Sequence, residues 1–294
     1  MQSDFKYIAE DLRRQVEESL SGVGILSRVF ARGKDSDSLN RKLARHPGKY
    51  AVGGKLIQDV VGIRVALYFS EDISLVKSIL ESRYHLDLPS STIDTPDRDK
   101  FSVTRYNLVF RLPEDLVGSF QRVSVGEPLD TCFEVQLRSI LSEGWHEVEH
   151  DLRYKSQDSW QGHDDLSRAL NGVVATLETS EWSMGRIFDE LAYRHYKLKN
   201  WSAMLPNLLK IRMRGNISSD VAGILNADAD AAKDLLRVDR ARLITCMFAA
   251  RPRIPVTMEN LIFFWNATGP QYASLTALTP ELVSESAKSV ISRS

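Results

Sequence analysis

The chain has 294 residues, of which 43% are hydrophobic and 26% are charged, and its formal net charge is −1 at pH 7. This composition is ordinary for a folded protein with a normal core, and it excludes bulk attraction to nucleic acid or anionic lipid while allowing a local basic patch. The two cysteines lie outside any paired motif, so we expect no disulfide framework. The sequence contains no apolar run long enough to span a bilayer and no secretory start. We therefore expect a cytoplasmic protein without a membrane partner.

The front half of the chain mixes predicted helices and strands. Apolar residues at intervals of four predict helices, and short apolar stretches predict strands. In chain order we predict a helix over 5–20, a strand over 23–31, a helix over 38–45, a strand over 60–69, a helix over 73–80, a loop over 86–100, strands over 106–112 and 132–138, and a helix over 139–154.

The back half is different, because strand signals weaken after about residue 165 and helical patterns dominate to about residue 268. We therefore predict an α+β fold in which a mixed β-sheet flanked by helices precedes an all-helical region. The predicted domains are 1–200 and 201–294, and we expect the polar tail over 269–294 to be partly disordered.

Side chains alternate faces along a strand, so parity identifies a polar face on the strand that ends at Arg138. Glu134, Gln136 and Arg138 share that face, and the opposite face is wholly apolar. An acid, an amide and a base in line suit a polar ligand, although an ordinary exposed face with a salt bridge is the commoner origin of this pattern.

The strand over 60–69 carries a second set of candidate residues. Gly62 and Arg64 share a face, and Gly62 leaves space for a ligand to approach the backbone. Asp59 precedes this strand and would meet Glu134 if the two strands are neighbours. Two carboxylates at one sheet edge suit Mg²⁺. Asp59 as a simple cap of the strand entrance is the alternative.

A basic run precedes these strands. Arg28, Arg32 and Lys34 share a parity, and the next helix carries Ser38, Lys42 and Arg45 on one face. Converging Arg and Lys side chains would neutralise a polyphosphate, with arginine able to bind two oxygens at once. A solvated basic face is the alternative.

A competing chemistry is indicated by His146, Glu147 and His150, which satisfy the H-E-x-x-H pattern of zinc proteases on a predicted helix. Two histidines four residues apart can bind one zinc ion, with the glutamate as base. The longer pattern fails, because Arg153 and Ser156 occupy its glycine and third histidine positions.

Four segments resemble motifs of the RelA/SpoT synthetase family, in the family's order. Residues 32–42 resemble R-x-K-x-x-x-S-[IL]-x-x-K, residues 58–64 resemble Q-D-x-x-G-[IL]-R, residues 134–139 resemble E-[IV]-Q-[IL]-R-[TS], and residues 145–155 resemble W-x-x-x-E-H-x-x-x-Y-K. The resemblance covers roughly residues 23–155. The small, single-function alarmone synthetases are the expected nearest relatives.

The resemblance implies a nucleotidyltransferase-like synthetase domain. It also implies transfer of pyrophosphate from ATP to the 3′-hydroxyl of GDP or GTP, which gives (p)ppGpp and AMP. Asp59 and Glu134 would be catalytic and would bind Mg²⁺. The residues implied to bind ATP are Arg32, Lys34, Ser38, Lys42 and Arg64. His150 and Lys155 would order the helix behind this centre.

The acceptor motif departs from the family, which usually has G-Y-x-S-x-H with a tyrosine that stacks on guanine. Val103, Arg105 and Asn107 stand at the tyrosine, serine and histidine positions, and Phe101 or Tyr106 is a candidate replacement ring. The residues implied to bind the acceptor are Lys100, Arg105, Asn107, Gln136 and Arg138. The departure leaves an adenine nucleotide or the 3′ end of tRNA as alternative acceptors.

A binding or sensor module with weak activity is the alternative to an active enzyme. The charged and apolar stretches over 237–244 and 254–261 in the helical region would then bind a protein partner that controls the front half. Packing within the protein is the other explanation of these stretches. The sequence leaves open whether the chain forms a homo-oligomer.

Overall fold

The computed structural model describes residues 5–94 and 106–292. These residues belong to two compact units, which are described one after the other. The first unit is formed by Met1–Glu18 with Ser27–Glu181, and the second by Ser19–Leu26 with Trp182–Ser294, in each case as far as the residues are described.

The first unit is built on a five-stranded sheet with flanking helices. Its elements are α1 (Phe5–Ser21), β1 (Ser27–Gly33), α2 (Ser36–Arg45), β2 (Val61–Leu67), α3 (Asp72–Glu81), β3 (Thr92–Ile93), β4 (Tyr106–Arg111), α4 (Glu114–Val123), β5 (Cys132–Ser139), α5 (Ile140–Leu152) and the beginning of α6 (Asp164–Lys197). The strand order is β1-β2-β5-β4-β3, in which β2 and β5 are parallel and the other pairs antiparallel. The predicted mixed sheet is confirmed.

One face of this sheet is apolar and carries the hydrophobic core. Phe133 in β5 is fully buried, stacks on Phe110 of β4 at 5.6 Å between ring centroids and meets the edge of Tyr84 at 5.2 Å. Helix α1 packs close to the end of β1, where a Cβ on Gly33 would lie 2.5 Å from the backbone nitrogen of Lys6. The glycine is therefore required for this close approach.

Several local predictions differ from the structure. The first strand begins at Ser27, later than predicted, because Ile25 forms an isolated bridge with Ile211 in the second unit. The predicted loop over 86–100 contains the two-residue strand β3, and helix α4 was not predicted. Helix α5 ends at Leu152 and is followed by a 3-10 helix over Tyr154–Trp160.

The second unit is helical in its described residues, as predicted. It contains the end of α6 and helices α7 (Trp201–Leu209), α8 (Ser219–Ala227), α9 (Ala229–Leu236), α10 (Arg240–Ala249), α11 (Met258–Thr268), α12 (Ala273–Leu278) and α13 (Glu281–Ile291). The apolar side chains that were candidates for binding a partner are largely buried inside this unit, namely Leu243, Ile244, Ile254, Met258 and Leu261. The packing explanation therefore holds for them.

The expectation of partial disorder in the polar tail over 269–294 is wrong for the described residues, which form α12 and α13. Two features order this segment. Leu275 and Val283 are buried. The fully buried side chain of Asn266 donates to the Tyr272 carbonyl at 3.2 Å and accepts from the Tyr272 amide at 2.7 Å. Within residues 5–94 and 106–292, every helix is too short or too polar for a membrane span.

The two cysteines differ in exposure, which predicts different reactivities. Burial raises the pKa of the Cys132 thiol to about 12, whereas Cys246 is partly exposed. Because the thiolate is the reactive form, we expect iodoacetamide at pH 8 to add one group to the native chain and two to the chain unfolded in guanidinium. Intact mass spectrometry with peptide mapping checks this. Equal labelling of both cysteines in the native chain would contradict the burial of Cys132.

Candidate active site

The second face of the sheet is polar and runs across all five strands. The strand register places Phe30, Arg64, Gln136, Asn107 and Thr92 in one row across the sheet. An adjacent row contains Arg32, Gly62, Glu134 and Val109. The alternation predicted from the sequence therefore brings Gly62, Arg64, Glu134 and Gln136 to one face.

Gly62 keeps the middle of this face open. A Cβ at Gly62 would have the Arg32 carbonyl oxygen 3.7 Å away, which is ordinary van der Waals contact. A side chain would therefore fit, but it would stand between Arg32 and Glu134. The glycine leaves the backbone accessible to a ligand between these two residues.

Asp59 lies just before β2 and binds two lysines. Its carboxylate accepts hydrogen bonds from Lys34 Nζ and Lys42 Nζ, each at 2.8 Å. Burial would raise the pKa of Asp59, but the two ammonium groups outweigh this effect and lower it below its ordinary value. Asp59 is therefore ionised at neutral pH.

The position of Lys42 follows from the way α2 begins. The side chain of Asp35 caps this helix by accepting from the Ser38 amide at 2.6 Å. Lys42 lies one turn further along the helix from Ser38, and it reaches Asp59 from there. Of the predicted basic residues, Lys34 and Lys42 therefore meet at Asp59, whereas Ser38 contacts the Asp35 carboxylate through its hydroxyl at 3.1 Å.

Asp59 and Glu134 line one cavity of about 230 Å³. Glu134 lies in register with Gly62, and its Oε1 accepts from Gln136 Nε2 at 3.2 Å. The strands β2 and β5 are neighbours, which was the condition for this meeting, and both carboxylates border the same cavity. The other residues lining the cavity are Lys42, Tyr50, Lys55, Leu56, Ile57, Gln58, Ser90, Thr92, Asn107 and Val109.

Arg64 and Arg138 are both engaged by acids of helix α5. Arg64 contacts Glu143, at 2.5 Å, and Glu147, while Arg138 contacts Glu143 at 3.1 Å. Burial acts to lower the pKa of both arginines, and the neighbouring acids act to raise it. At Arg64 the acids have the larger effect, so its pKa is raised. At Arg138 burial has the larger effect, so its pKa is lowered. These guanidinium groups, which we expected at ATP and at the acceptor, join the sheet to α5.

The side chains of the zinc protease pattern are used differently. Glu147 binds Arg64, and the His150 ring stacks on Tyr154 with its Nδ1 3.0 Å from Asp151. His146 lies edge-on to Trp145. Among residues 5–94 and 106–292, no three His, Cys, Asp or Glu side chains are grouped so that they could hold a metal ion. The zinc alternative therefore has no site in the described part of the chain.

The remaining predicted residues are placed as follows. Arg28 and Arg32 are exposed on β1, and Lys155 pairs with Asp151 at 2.6 Å, next to His150. Lys100, Phe101, Val103 and Arg105 lie outside the described residues. Sequence reasoning missed Tyr50, Lys55 and Thr92 as cavity residues and Glu143 as the partner of two arginines. No periodic pattern marks Tyr50, because it lies in irregular chain between α2 and β2.

Comparison with known proteins finds a similarity that is confined to part of the chain. Residues 31–159 match the sequence profile described as a region found in RelA / SpoT proteins. The chain is also 27% identical over 99 residues to the GTP pyrophosphokinase YjbM of Bacillus subtilis (strain 168). That alignment covers 34% of this chain and 43% of the relative, so it spans less than half the relative's length.

Two solved structures with TM-scores below 0.5 illustrate the similarity at the level of structure. The small alarmone synthetase 1 of Bacillus subtilis bound to its product pppGpp has a TM-score of 0.49 and 20% identity, covering 64% of this chain and 95% of that chain. A GTP pyrophosphokinase family protein from Streptococcus pneumoniae has a TM-score of 0.47 and 22% identity, covering 63% of this chain and 90% of that chain. The profile match over residues 31–159 includes all four motif segments, so this part of the chain is similar to the region found in RelA / SpoT proteins.

Proposed function

We propose that this chain is a pyrophosphokinase that transfers the β,γ-pyrophosphate of ATP to the 3′-hydroxyl of a nucleotide and releases AMP. The observation that carries the proposal is the cavity that Asp59 and Glu134 share beside Lys42, within the RelA/SpoT region. The related Bacillus subtilis protein is named a GTP pyrophosphokinase, which favours GDP or GTP as the acceptor and (p)ppGpp as the product.

The donor half of the site would be the basic cluster. Lys34 and Lys42 hold Asp59 in the structure, and Arg32 stands exposed on the same sheet face as Glu134. A bound triphosphate offers several anionic oxygens. Lys34 and Lys42 would then leave the Asp59 carboxylate and bind these phosphate oxygens instead. Placing ammonium and guanidinium groups around the phosphates neutralises the charge that transfer redistributes.

Glu134 would act on the acceptor. Its carboxylate takes the proton of the 3′-hydroxyl as the O3′–Pβ bond forms, and the bond from Pβ to the bridging α,β-oxygen breaks so that AMP leaves with that oxygen. Gln136 donates to Glu134 Oε1 at 3.2 Å, which fixes the direction of the carboxylate. The contribution of the chain is mainly positioning and charge neutralisation.

The donor set fits Mg²⁺, which is usually bound by one or two carboxylates together with substrate phosphates and water. Asp59 and Glu134 would be those carboxylates. A bound Mg²⁺ would supply further neutralisation of the phosphate oxygens. Lys34 and Lys42 release Asp59 when they turn to the phosphates, which leaves its oxygens available.

The test is an acceptor panel. The purified chain is incubated with Mg²⁺, γ-labelled ATP and each of GDP, GTP, ADP, ATP and tRNA, and labelled acceptor and AMP are measured. We expect AMP in equal amount to labelled GDP or GTP product. Label on an adenine nucleotide or on the tRNA 3′ end would keep the chemistry but change the acceptor, as Val103 and Arg105 at the motif positions allow. No AMP with any acceptor would overturn the proposal.

A further inference from the structure

The charged residues of the stretch over 237–244 are not explained by packing within the second unit. Leu243 and Ile244 of this stretch are buried, but Arg237 and Arg242 are exposed and line a cavity of about 280 Å³ beside helix α10, the α10 cavity. We propose that the α10 cavity binds a small organic oxyanion, that is, a carboxylate or phosphate group on an aromatic or apolar body. The site goes beyond the proposed pyrophosphate transfer, because it lies outside residues 31–159, which match the RelA / SpoT profile.

The α10 cavity lies between the corner that joins α9 to α10 and the end of α11. Helix α10 contributes Arg242, Leu243 and Cys246, which share one face because they are three or four residues apart. Helix α11 contributes Trp265 and Thr268 at the same spacing. All the lining residues belong to the second unit. The site is therefore described within one compact unit.

The two arginines supply the free donors of the α10 cavity. In the part of the chain that the structure describes, neither the Arg237 nor the Arg242 guanidinium forms an ion pair or a hydrogen bond. Arg240, which lies between them in the sequence, is used differently, because its Nε donates to the Leu209 carbonyl. A guanidinium group has about five N–H donors in a planar fork that matches the oxygens of a carboxylate or a phosphate. Two such groups at one cavity favour an oxyanion.

The two acids that line the α10 cavity already have partners. Asp234 accepts from the Tyr272 hydroxyl at 2.6 Å and raises the pKa of that hydroxyl to about 12, so the tyrosine stays protonated and continues to donate. Asp239 caps helix α10 by accepting from the Arg242 amide at 2.9 Å. The charged side chains that lack a partner at this cavity are therefore the cations, which selects an anion as the ligand.

The inner wall of the α10 cavity suits the body of such a ligand. Leu243 is 5% exposed and Trp265 is 8% exposed. The indole N–H of Trp265 donates to no group among the described residues, and a largely buried donor without a protein partner calls for an explanation. The volume of about 280 Å³ is close to the lower end of the range of about 300–1,000 Å³ that is usual for small-molecule pockets. The ligand is therefore small, with room for about one ring.

The first experiment uses Cys246 as a reporter, because it lines the α10 cavity and is partly exposed whereas Cys132 is buried. The full chain is treated with iodoacetamide at constant ionic strength in the presence of benzoate, phenyl phosphate, benzamide or benzylamine, and peptide mapping gives the labelling rate of Cys246. We expect benzoate or phenyl phosphate to slow this labelling in a saturable way. Neutral benzamide and cationic benzylamine should bind roughly 10-fold more weakly, which is the loss of one charge-assisted hydrogen bond.

The variants test the two arginines. Arg237→Gln and Arg242→Gln are each expected to weaken protection by the better anion roughly 10-fold. Lys233→Gln is the matched control, because it removes a positive charge from an exposed position of α9 outside the cavity, and it should protect as the wild type does. Whichever anion binds more tightly identifies the head group as a carboxylate or a phosphate. Equal protection by all four probes, protection by none, or full protection in both arginine variants would overturn the proposal.

A second measurement needs no added ligand. Two methanethiosulfonate reagents of similar size, one ending in a sulfonate and the other in a trimethylammonium group, react with Cys246, and their rate ratio is divided by the ratio for mercaptoethanol. We expect the corrected ratio to favour the sulfonate several-fold and to fall close to one when Arg237→Gln and Arg242→Gln are combined. A corrected ratio of one or less in the wild type would contradict an anion site, and a Cys246 that reacts with neither reagent would show a cavity closed to ligands. Neither experiment depends on AMP release, so its outcome is separate from that of the proposed reaction.

Discussion

Glu134→Gln is expected to lower the rate of AMP release by roughly 10²–10⁴-fold at saturating ATP and acceptor. Glutamine has nearly the same shape, but it cannot take a proton from the 3′-hydroxyl and carries no charge for a metal ion. Glu134 lies on the polar face and lines the cavity, so the substitution leaves the apolar core untouched. Chromatographic quantification of AMP measures the rate, and thermal melting verifies that the fold is retained.

The matched control for this substitution is Glu127→Gln. Glu127 is an exposed acid in the chain that precedes β5, and it does not line the cavity. This variant should release AMP at the wild-type rate. If Glu134→Gln and Glu127→Gln were equally active, Glu134 would have neither of the roles assigned to it, and the proposed chemistry would need a different base.

The polar face could be predicted because it depends only on local alternation. Along β5, burial alternates with the sequence, and the acid and amide at 134 and 136 fall on the accessible side. A similar argument placed Gly62 and Arg64 on one face of β2. Alternation is a property of each strand by itself. The meeting of Asp59 with Glu134 required in addition that β2 and β5 be neighbours, which the sequence could state only as a condition.

The partners of the charged residues could not be predicted. Arg64 and Arg138 are motif residues, and their interaction with Glu143 depends on how α5 crosses the sheet, which is set by tertiary packing. The same holds for Tyr50, whose place in the cavity depends on an irregular segment. Helix α4, by contrast, had a readable signal, because Pro113 precedes it and Glu114 and Asp115 fill its first turn.

Glu143→Ala is expected to lower the free energy of unfolding by about 3–5 kcal/mol, the effect typical of removing one partner from a buried ion pair. The side chain of Glu143 is 11% exposed and that of Arg138 is 13% exposed. Without Glu143, the guanidinium of Arg138 loses the one carboxylate with which it forms an ion pair in the described residues, and Arg64 retains Glu147 alone. An unpaired charge then stays in a poorly solvated position.

Glu147→Ala is the matched control, since it removes an acid of the same helix that contacts the same arginine. Its side chain is 54% exposed, so water can replace it, and we expect a loss of at most about 1 kcal/mol. Urea denaturation followed by circular dichroism measures both variants against the wild type. Equal losses would mean that water solvates the whole network as it solvates a surface pair. A much larger loss at Glu143 would instead show that this acid holds α5 to the sheet, and that Arg64 and Arg138 have a structural role.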